Sequence, residues 1–193
     1  MKKVLIGGIG NILLGDDGVG PYVVRLLNAY YDFEDGVEIV DLGTPALDLI
    51  DRFSEKDAVI LIDCIQSDDA DPGSILLYRK EDILRHQPEV RMDPHSPALM
   101  ENLLSAELFG ISPRELLLVG IVGESFGPGC SLSTAVKAAL PRAFCEITRE
   151  LGRVGIEYTC REHAVDPQIW WNPVDLAQST DLRRPCENIL PAY

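Results

Sequence analysis

The sequence predicts an α/β protein, a three-layer αβα sandwich with a mostly parallel central sheet. Two observations carry this prediction. Segments with strand and helix patterns alternate along most of the chain, and the segment AVILIDCI at 58–65 is apolar on both faces. Such a run is typical of a central parallel strand that helices cover on both sides. With 193 residues and no linker-like stretch, the chain is long enough for one domain with a full core.

The N-terminal part of the chain has two strands, each followed by a helix. Residues 3–9 (KVLIGGI) are predicted as a buried strand and residues 37–43 (VEIVDLG) as a second strand. Residues 19–31 carry apolar side chains at helical spacing, which predicts the first helix. A second helix is predicted over 44–53, because Thr44 suits an N-cap and a proline follows at the first helical position.

The middle of the chain continues this pattern after the apolar strand at 58–65. A polar loop at 67–73 leads to SILLYR at 74–79, which is predicted as an additional strand. The segment SPALMENLLSAELFG at 96–110 is predicted as a helix, because Ser96 suits the N-cap and a glycine closes the segment.

The last regular elements are a buried strand at 115–123 and a long helix at 131–152, which Pro141 should kink or split. Beyond that helix the pattern weakens. The tail carries a pair of tryptophans that could anchor it to the body of the protein or to a partner, and packing is the expected use. We therefore predict an α/β domain over 1–152 and a C-terminal extension over 153–193 that packs on the domain or is partly irregular.

The charge and apolar pattern exclude several classes of partner. The formal net charge is −14, whereas binding a nucleic-acid backbone requires a basic face. No segment approaches the roughly 20 apolar residues of a membrane helix, so no membrane insertion is predicted.

The N-terminal MKKVLIGGIG reads as a strand rather than a signal peptide, because glycines interrupt its apolar run. Nothing suggests an obligate apolar interface, so a monomer is expected.

The cysteines favour a reducing, cytoplasmic location. The chain has five, none of them in a CxxC pair, and their spacing is irregular. A zinc ribbon or a disulfide framework is therefore not expected, and reduced thiols are the simpler interpretation. The five are Cys64, Cys130, Cys145, Cys160 and Cys186.

The loop IGNILLGDDGVG at 9–20 is glycine-rich but does not fit a nucleotide site. A dinucleotide fingerprint that starts at Gly8 would need a third glycine where Leu13 stands. The spacing from Gly10 to Gly15 fits a P-loop, but two aspartates follow Gly15 where a P-loop has Lys and then Ser or Thr. A carboxylate repels a phosphate, so both nucleotide interpretations are poor.

The two aspartates of this loop have two alternative uses. Asp16 or Asp17 can cap the following helix by accepting hydrogen bonds from its first amides. The other use is metal ligation, which needs partners from elsewhere in the chain. Asp63 stands at the carboxyl end of the most buried strand, where an ionised carboxylate needs a helix terminus, a cation, a metal or backbone amides. His95 directly precedes the predicted N-cap Ser96, although a loop histidine is commonly only a surface residue.

Together Asp17, Asp63 and His95 would offer two carboxylates and one imidazole. This donor set suits a divalent transition metal and leaves room for water or substrate. Their spacing is not specific by itself, since only the fold can bring three separate segments together. Cys64 is expected in the core, and Ser125 lacks the GxSxG pattern of a nucleophile elbow.

Five segments resemble the hydrogenase maturation endopeptidases, a family that processes the large subunit of nickel–iron hydrogenases. The resemblance covers roughly residues 3–152 in the same order, and GNILLGDDGVG is its most specific part. The five segments are GIGNILLGDDGVG, VEIVDLGT, LIDCI, PHSPAL and LLLVGIVGES.

The resemblance implies that Asp17, Asp63 and His95 form a catalytic, metal-binding trio and that Asp41 helps to recognise nickel-loaded substrate. The implied metal is nickel, held by the trio or carried by the substrate. Some family members have Glu at the position of Asp17, so with the shorter side chain here either the loop approaches more closely or the ligation differs. The implied reaction is a single cut that removes the C-terminal extension of the nickel-loaded large-subunit precursor, which is the implied partner.

Two other functions stay open on the sequence. A nickel-checking chaperone would dock on the precursor without cutting it, and would trap the precursor with no released peptide. A metal-dependent hydrolase would act on other amides, and a source genome without a hydrogenase large subunit would favour it. No conventional nucleophile–base pair is visible, which is consistent with metal-based or substrate-assisted cleavage.

Overall fold

The structure of the 193-residue chain is a computed structural model. Side chains at 96–98 are outside the description, although their backbone is helical. The residues that the structure describes are 1–44, 49–85, 96–129, 131–171, 182–183 and 185–186.

Strands and helices alternate along the described chain as the sequence predicts. The strands are β1 (Val4–Ile9), β2 (Tyr31–Phe33), β3 (Val37–Gly43), β4 (Ala58–Ile65), β5 (Ile75–Arg79), β6 (Glu115–Val122) and β7 (Tyr158–Cys160). The helices are α1 (Val19–Tyr30), α2 (Leu49–Phe53), α3 (Lys80–Arg85), α4 (Ser96–Phe109) and α5 (Thr134–Arg153), and a 3₁₀ turn (Gly15–Gly18) precedes α1.

Within the described residues, the main sheet has five strands in the order β3-β1-β4-β6-β5. The first four run parallel, and β5 pairs antiparallel with β6. The mostly parallel sheet is therefore confirmed, as is the additional strand. β4 lies at the centre with every residue buried, because its apolar side chains meet helices on both faces.

Two groups of buried side chains form the layers above and below the sheet. Ile60 and Ile62 of β4 belong to the group that includes α1 and α5. Val59 and Leu61 alternate with them and belong to the group that includes α2 and α4. This alternation confirms the three-layer sandwich, since successive side chains of a strand point to opposite faces.

Three expectations concern individual helices, and they have different outcomes. α5 runs as one helix through Pro141, so of the two predicted outcomes, a kink or a split, the split is wrong. Its buried face, which includes Phe144, supplies packing that offsets the lost hydrogen bond. The predicted start of a helix at Thr44 cannot be followed, because Thr44 lies in a bend and 45–48 lie outside the described residues. The predicted end of α4 at Gly110 is confirmed by a φ of 68° there.

The C-terminal extension packs on the domain. β7 pairs with β2 in a small antiparallel sheet that the sequence did not predict, because each strand has only three residues. Further along, Ile169 and Trp171 are buried in the group of side chains that covers α1 and α5. The Tyr31 hydroxyl donates to the Leu182 carbonyl at 2.5 Å, which ties the extension to the end of α1. The domain boundary at residue 152 stays a prediction.

The expectation of reduced cysteines is wrong for one pair. Cys145 of α5 and Cys186 of the extension form a disulfide, with Cα atoms 5.0 Å apart. The sequence gives no sign of this pairing because the two lie 41 residues apart, and only the return of the extension onto α5 brings them together. Cys64 and Cys160 are free thiols, and Cys64 is buried, which confirms its expected place in the core.

A buried ion-pair cluster joins the end of α5 to the sheet. The Glu150 carboxylate is 4% exposed, and it accepts hydrogen bonds from Arg79 (2.6 Å) and Arg153 (2.8 and 3.0 Å). Burial acts to raise the pKa of Glu150, but the bonds with Arg153 and Arg79 outweigh it and lower that pKa from 4.5. The ionised form of Glu150 is therefore favoured by folding.

We expect Glu150→Gln to lower the free energy of unfolding at pH 7 by about 1–3 kcal/mol. Because folding lowers the pKa of Glu150, its contribution is present above the unfolded pKa of 4.5 and is lost as pH falls through the folded pKa. Urea unfolding at pH 7, 5, 4 and 3 should thus show the gap between wild type and variant closing below about pH 4.5. Glu146→Gln, which loses a pair with the mostly exposed Arg149, is the matched control. A gap that stays constant with pH would contradict the assignment.

Among the residues that the structure describes, no helix combines the length and the apolar character needed to cross a membrane.

Candidate active site

The candidate site lies at the carboxyl ends of β1 and β4, which are neighbours in the sheet. Asp63 is in β4, one residue after Ile62, which pairs with Gly8 of β1. Asp17 is in the 3₁₀ turn that follows β1 and contacts β4. Asp17 is 3% exposed and Asp63 is 4% exposed. The fold therefore places two buried carboxylate residues at one edge of the sheet, where ligands bind in open α/β sheets.

Close backbone approach, rather than phosphate binding, explains the glycines of the loop after β1. A Cβ on Gly10 would lie 1.8 Å from the Asp17 carbonyl oxygen, and Gly10 has a φ of 134°. A Cβ on Gly20 would lie 2.1 Å from the Ile9 carbonyl oxygen. Only glycine fits at such contacts, so the loop can fold tightly against the strand ends and bring Asp17 to them.

A backbone amide orients the Asp17 carboxylate. The amide of Asn11 donates to Oδ2 of Asp17 at 2.8 Å, across the turn that the loop makes. The Asn11 side chain in turn accepts a hydrogen bond from the Leu13 amide at 3.0 Å. Asp17 thus faces back towards its own loop and does not cap α1, which has Gly18 at its N-cap position.

Asp16 has a structural role that the sequence did not reveal. Its Oδ2 accepts from the amides of Glu124 (2.8 Å) and Ser125 (3.0 Å), and its Oδ1 accepts from the amide of Ser133 (2.6 Å). The expected cap on α1 is therefore wrong for Asp16. Its carboxylate instead crosses to the segment that joins β6 to α5, because the two segments meet at the same sheet edge.

Backbone hydrogen bonds strengthen this junction. The Gly15 amide donates to the Gly129 carbonyl at 2.7 Å, and the Asp16 amide donates to the Ser125 carbonyl at 2.8 Å. Ser133 caps α5 by accepting from the Val136 amide at 3.2 Å. The loop after β1 and the loop after β6 therefore form one connected unit beneath the candidate site.

We expect Asp16→Ala to lower the free energy of unfolding by about 3 kcal/mol, because three backbone amides lose a charged acceptor. Asp16→Asn keeps one acceptor oxygen and should lose less. Urea unfolding measures both, and hydrogen exchange should speed up at the amides of Glu124, Ser125 and Ser133. Asp71→Ala, in an exposed loop, is the control. An Asp16→Ala protein as stable as this control would refute the structural role.

Asp63 is held by the strand that carries it. Its Oδ1 accepts from the amide of Cys64 at 2.8 Å, and the pair is buried. This bond orients the carboxylate at the strand end and leaves the Cys64 thiol on the opposite side, in the core beneath α1 and α5.

Asp41 lies at the rim of a nearby cavity. Its Oδ1 accepts from the Gly43 amide at 3.1 Å, and its Oδ2 lies 3.9 Å from Nη2 of Arg25 in α1. The cavity has a volume of about 290 Å³. It is lined by Gly10, Asn11, Ile12, Asp41, Gly43 and Thr44. The cavity therefore joins Asp41 to the loop whose Asn11 amide holds Asp17.

The predicted imidazole ligand falls outside the structural description. His95 and His86 both lie in the undescribed segment 86–95, and His163 is exposed in the extension. Among the described residues, no three His, Cys, Asp or Glu side chains are close enough together to hold a metal ion. His95 is not among those residues, so this finding says nothing about a trio of Asp17, Asp63 and His95.

Sequence comparisons place the chain among hydrogenase maturation proteins. The HycI family, described as hydrogenase maturation protease, matches residues 21–150. The hydrogenase 2 maturation protease of Escherichia coli K12 is 32% identical over 163 residues, which cover 83% of this chain and 97% of that protein. The hydrogenase expression/formation protein HupM of Azotobacter chroococcum is 36% identical over 163 residues, which cover 83% of this chain and 77% of that protein.

Solved structures agree with these relatives. The hydrogenase maturating endopeptidase HybD from Escherichia coli superposes with a TM-score of 0.76 at 31% identity, covering 82% of this chain and 98% of that one. The [NiFe] hydrogenase maturation protease HybD from Thermococcus kodakarensis superposes with a TM-score of 0.63 at 31% identity, covering 77% of this chain and 98% of that one.

Proposed function

This chain belongs to the hydrogenase maturation protease family, a family of peptidases, and from that premise we propose its substrate and its site. We propose that it removes the C-terminal extension of a nickel-loaded nickel–iron hydrogenase large-subunit precursor in one cut. The names of its relatives support this substrate, since they are maturation proteases or endopeptidases of hydrogenases.

The single observation that carries the site assignment is the pair of buried carboxylates at one sheet edge. Asp17 and Asp63 are almost fully buried, and a backbone amide holds one oxygen of each. Burying a carboxylate is costly unless a cation or hydrogen-bond donors compensate, and here two are buried at the same sheet edge. A protein keeps such an arrangement where the negative charge is used, so we assign both residues to catalysis and metal binding.

We assign His95 as the third member of the trio. It immediately precedes Ser96, the first residue of α4. The end of α4 connects through the short segment 110–114 to the start of β6, which pairs with the start of β4. A helix that returns along a parallel sheet begins near the carboxyl ends of the strands, which is the edge that carries Asp63.

The donor set of the trio fits a divalent transition metal. Two carboxylates and an imidazole suit nickel better than calcium or magnesium, which prefer oxygen ligands alone. Such a metal would polarise the scissile carbonyl or lower the pKa of a bound water. The chain's own contribution is to orient the two carboxylates through the amides of Asn11 and Cys64.

We propose that Asp41 and the adjoining cavity recognise the nickel-loaded substrate. Asp41 is only partly buried, so its carboxylate is accessible to a partner. The cavity that it lines reaches the loop of Asn11, which holds Asp17. Substrate bound there would therefore lie beside the proposed trio. We further propose that the protein acts as a monomer in the cytoplasm, although the Cys145–Cys186 disulfide removes the support that reduced thiols gave to that location.

Incubating purified protein with its large-subunit precursor tests the proposal. Precursor loaded with nickel should release one C-terminal peptide, which mass spectrometry identifies, and nickel-free precursor should stay intact. Equal cleavage of both forms would refute nickel recognition. Stable binding of loaded precursor with no released peptide would instead identify a non-cleaving chaperone.

A further inference from the structure

Trp171 connects the C-terminal extension to the candidate site. The family match ends at residue 150, so the segment that contains Trp171 lies beyond it. Trp171 is nevertheless buried against α1, and the guanidinium carbon of Arg25 lies 5.6 Å from the centre of its ring. This is the geometry of a cation–π contact.

Arg25 also lies beside Asp41. Nη2 of Arg25 lies 3.9 Å from Oδ2 of Asp41, while the Gly43 amide holds Oδ1. Oδ1 is therefore held by a hydrogen bond, while Oδ2 faces the Arg25 guanidinium across a longer ion pair. Trp171, Arg25 and Asp41 form a continuous row from the extension to the rim of the cavity that Asp41 lines.

The neighbouring tryptophan differs in its environment. Trp170 is 73% exposed and meets Trp171 edge-on, with ring centres 5.8 Å apart. Packing, the use expected for both tryptophans, therefore holds for Trp171 and not for Trp170. The two indole rings are nearly perpendicular, at 84°, and Arg25 lies over the Trp171 ring.

We propose that Trp171 is a positioning residue for substrate recognition: its ring fixes the Arg25 guanidinium, which in turn orients the Asp41 carboxylate at the cavity. This inference rests on the proposed function, because it gives Asp41 its role in binding the precursor. The physical reason is the rotamer freedom of arginine, which a planar contact with an aromatic face restricts. Without the ring, Arg25 samples other rotamers and the Asp41 carboxylate loses one of its two restraints.

A matched pair of substitutions separates positioning from packing. Trp171→Phe keeps an aromatic face for Arg25, whereas Trp171→Leu keeps apolar bulk without that face. Both remove indole volume from the same buried site, so a purely structural role predicts similar effects of the two. Tyr31→Phe is a second control, because it loosens the extension at Leu182 and leaves Arg25 untouched.

The first measurement needs no substrate. The NMR signal of the Arg25 Nε–Hε group should be shifted upfield by the ring in wild type and Trp171→Phe, and should move to the position of a free arginine in Trp171→Leu. Tyr31→Phe should leave this signal in place. Equal positions in the Phe and Leu variants would overturn the proposed contact.

The second measurement is processing of nickel-loaded precursor. Trp171→Leu should raise KM about threefold to tenfold, the range expected when a side chain that was pre-oriented must be ordered on binding, with kcat little changed. Trp171→Phe should recover most of this loss. In an Arg25→Met background, the Phe and Leu variants should become equal, because the ring has no cation left to hold.

The outcomes separate this inference from the proposed function. If wild type processes the precursor and the Phe and Leu variants have equal KM, the positioning role is overturned while the function stands. If wild type releases no peptide, the proposed function fails, and the role in recognition fails with it. In that case the NMR comparison alone decides whether Trp171 fixes Arg25.

Discussion

Asp63→Asn is expected to slow processing of the nickel-loaded precursor by about 100-fold or more and to leave the fold intact. Asn has the same shape as Asp and keeps an oxygen that can accept the Cys64 amide. It loses the negative charge that Asp63 would supply as the proposed metal ligand at this buried strand end. Activity should thus fall without a matching fall in stability.

Two measurements on the same preparations check this expectation. Mass spectrometry of the released peptide gives the processing rate, and urea unfolding gives the stability. Asp35→Asn is the matched control, because Asp35 is exposed in the turn before β3, at the opposite edge of the sheet. His95→Ala should likewise make the precursor accumulate. Normal processing by Asp63→Asn and His95→Ala would contradict the catalytic roles assigned to these residues.

Gly10→Ala is expected to lower the free energy of unfolding by about 3 kcal/mol or more, and to impair processing as well. The added Cβ would meet the Asp17 carbonyl at 1.8 Å, and alanine strongly disfavours the φ of 134°. The clash and the unfavourable φ both belong to the backbone, so rotating a side chain cannot relieve either of them. The loop must move, and it carries Asp17 with it.

Gly152→Ala is the same chemical change, but we expect it to have the opposite effect on stability. Gly152 lies in α5, and a Cβ there would have no neighbour within 4 Å. Alanine favours a helix over glycine, so this variant should be as stable as wild type or more stable by up to about 1 kcal/mol. Urea unfolding compares the two variants. Equal stabilities of Gly10→Ala and Gly152→Ala would contradict the account of the loop.

Much of the fold could be predicted because its signals are local. The apolar run of β4 indicates a central strand from its own residues, and the glycine that ends α4 indicates its end in the same way. Asp63 stood out because a carboxylate at the end of such a strand is unusual. These inferences need only a short stretch of sequence and the preferences of its backbone.

Other features depend on segments that meet only in the folded chain. Asp16 and Ser133 are 117 residues apart, so no local pattern predicts that the carboxylate accepts from that amide. β2 and β7 are too short to show a period, and pairing with each other is what makes them strands. Cys145 and Cys186 pair because the extension returns to α5.

The motif GNILLGDDGVG therefore carried two different kinds of information. Its glycines and its position after a strand were enough to indicate a tight loop before a helix, because backbone geometry follows from adjacent residues. Which hydrogen bonds each of its two aspartates accepts depends instead on how distant loops pack together. Asp16 meets the segment before α5, while Asp17 turns back to Asn11 beside β4. Neighbouring residues with the same side chain differ because their surroundings come from different parts of the chain.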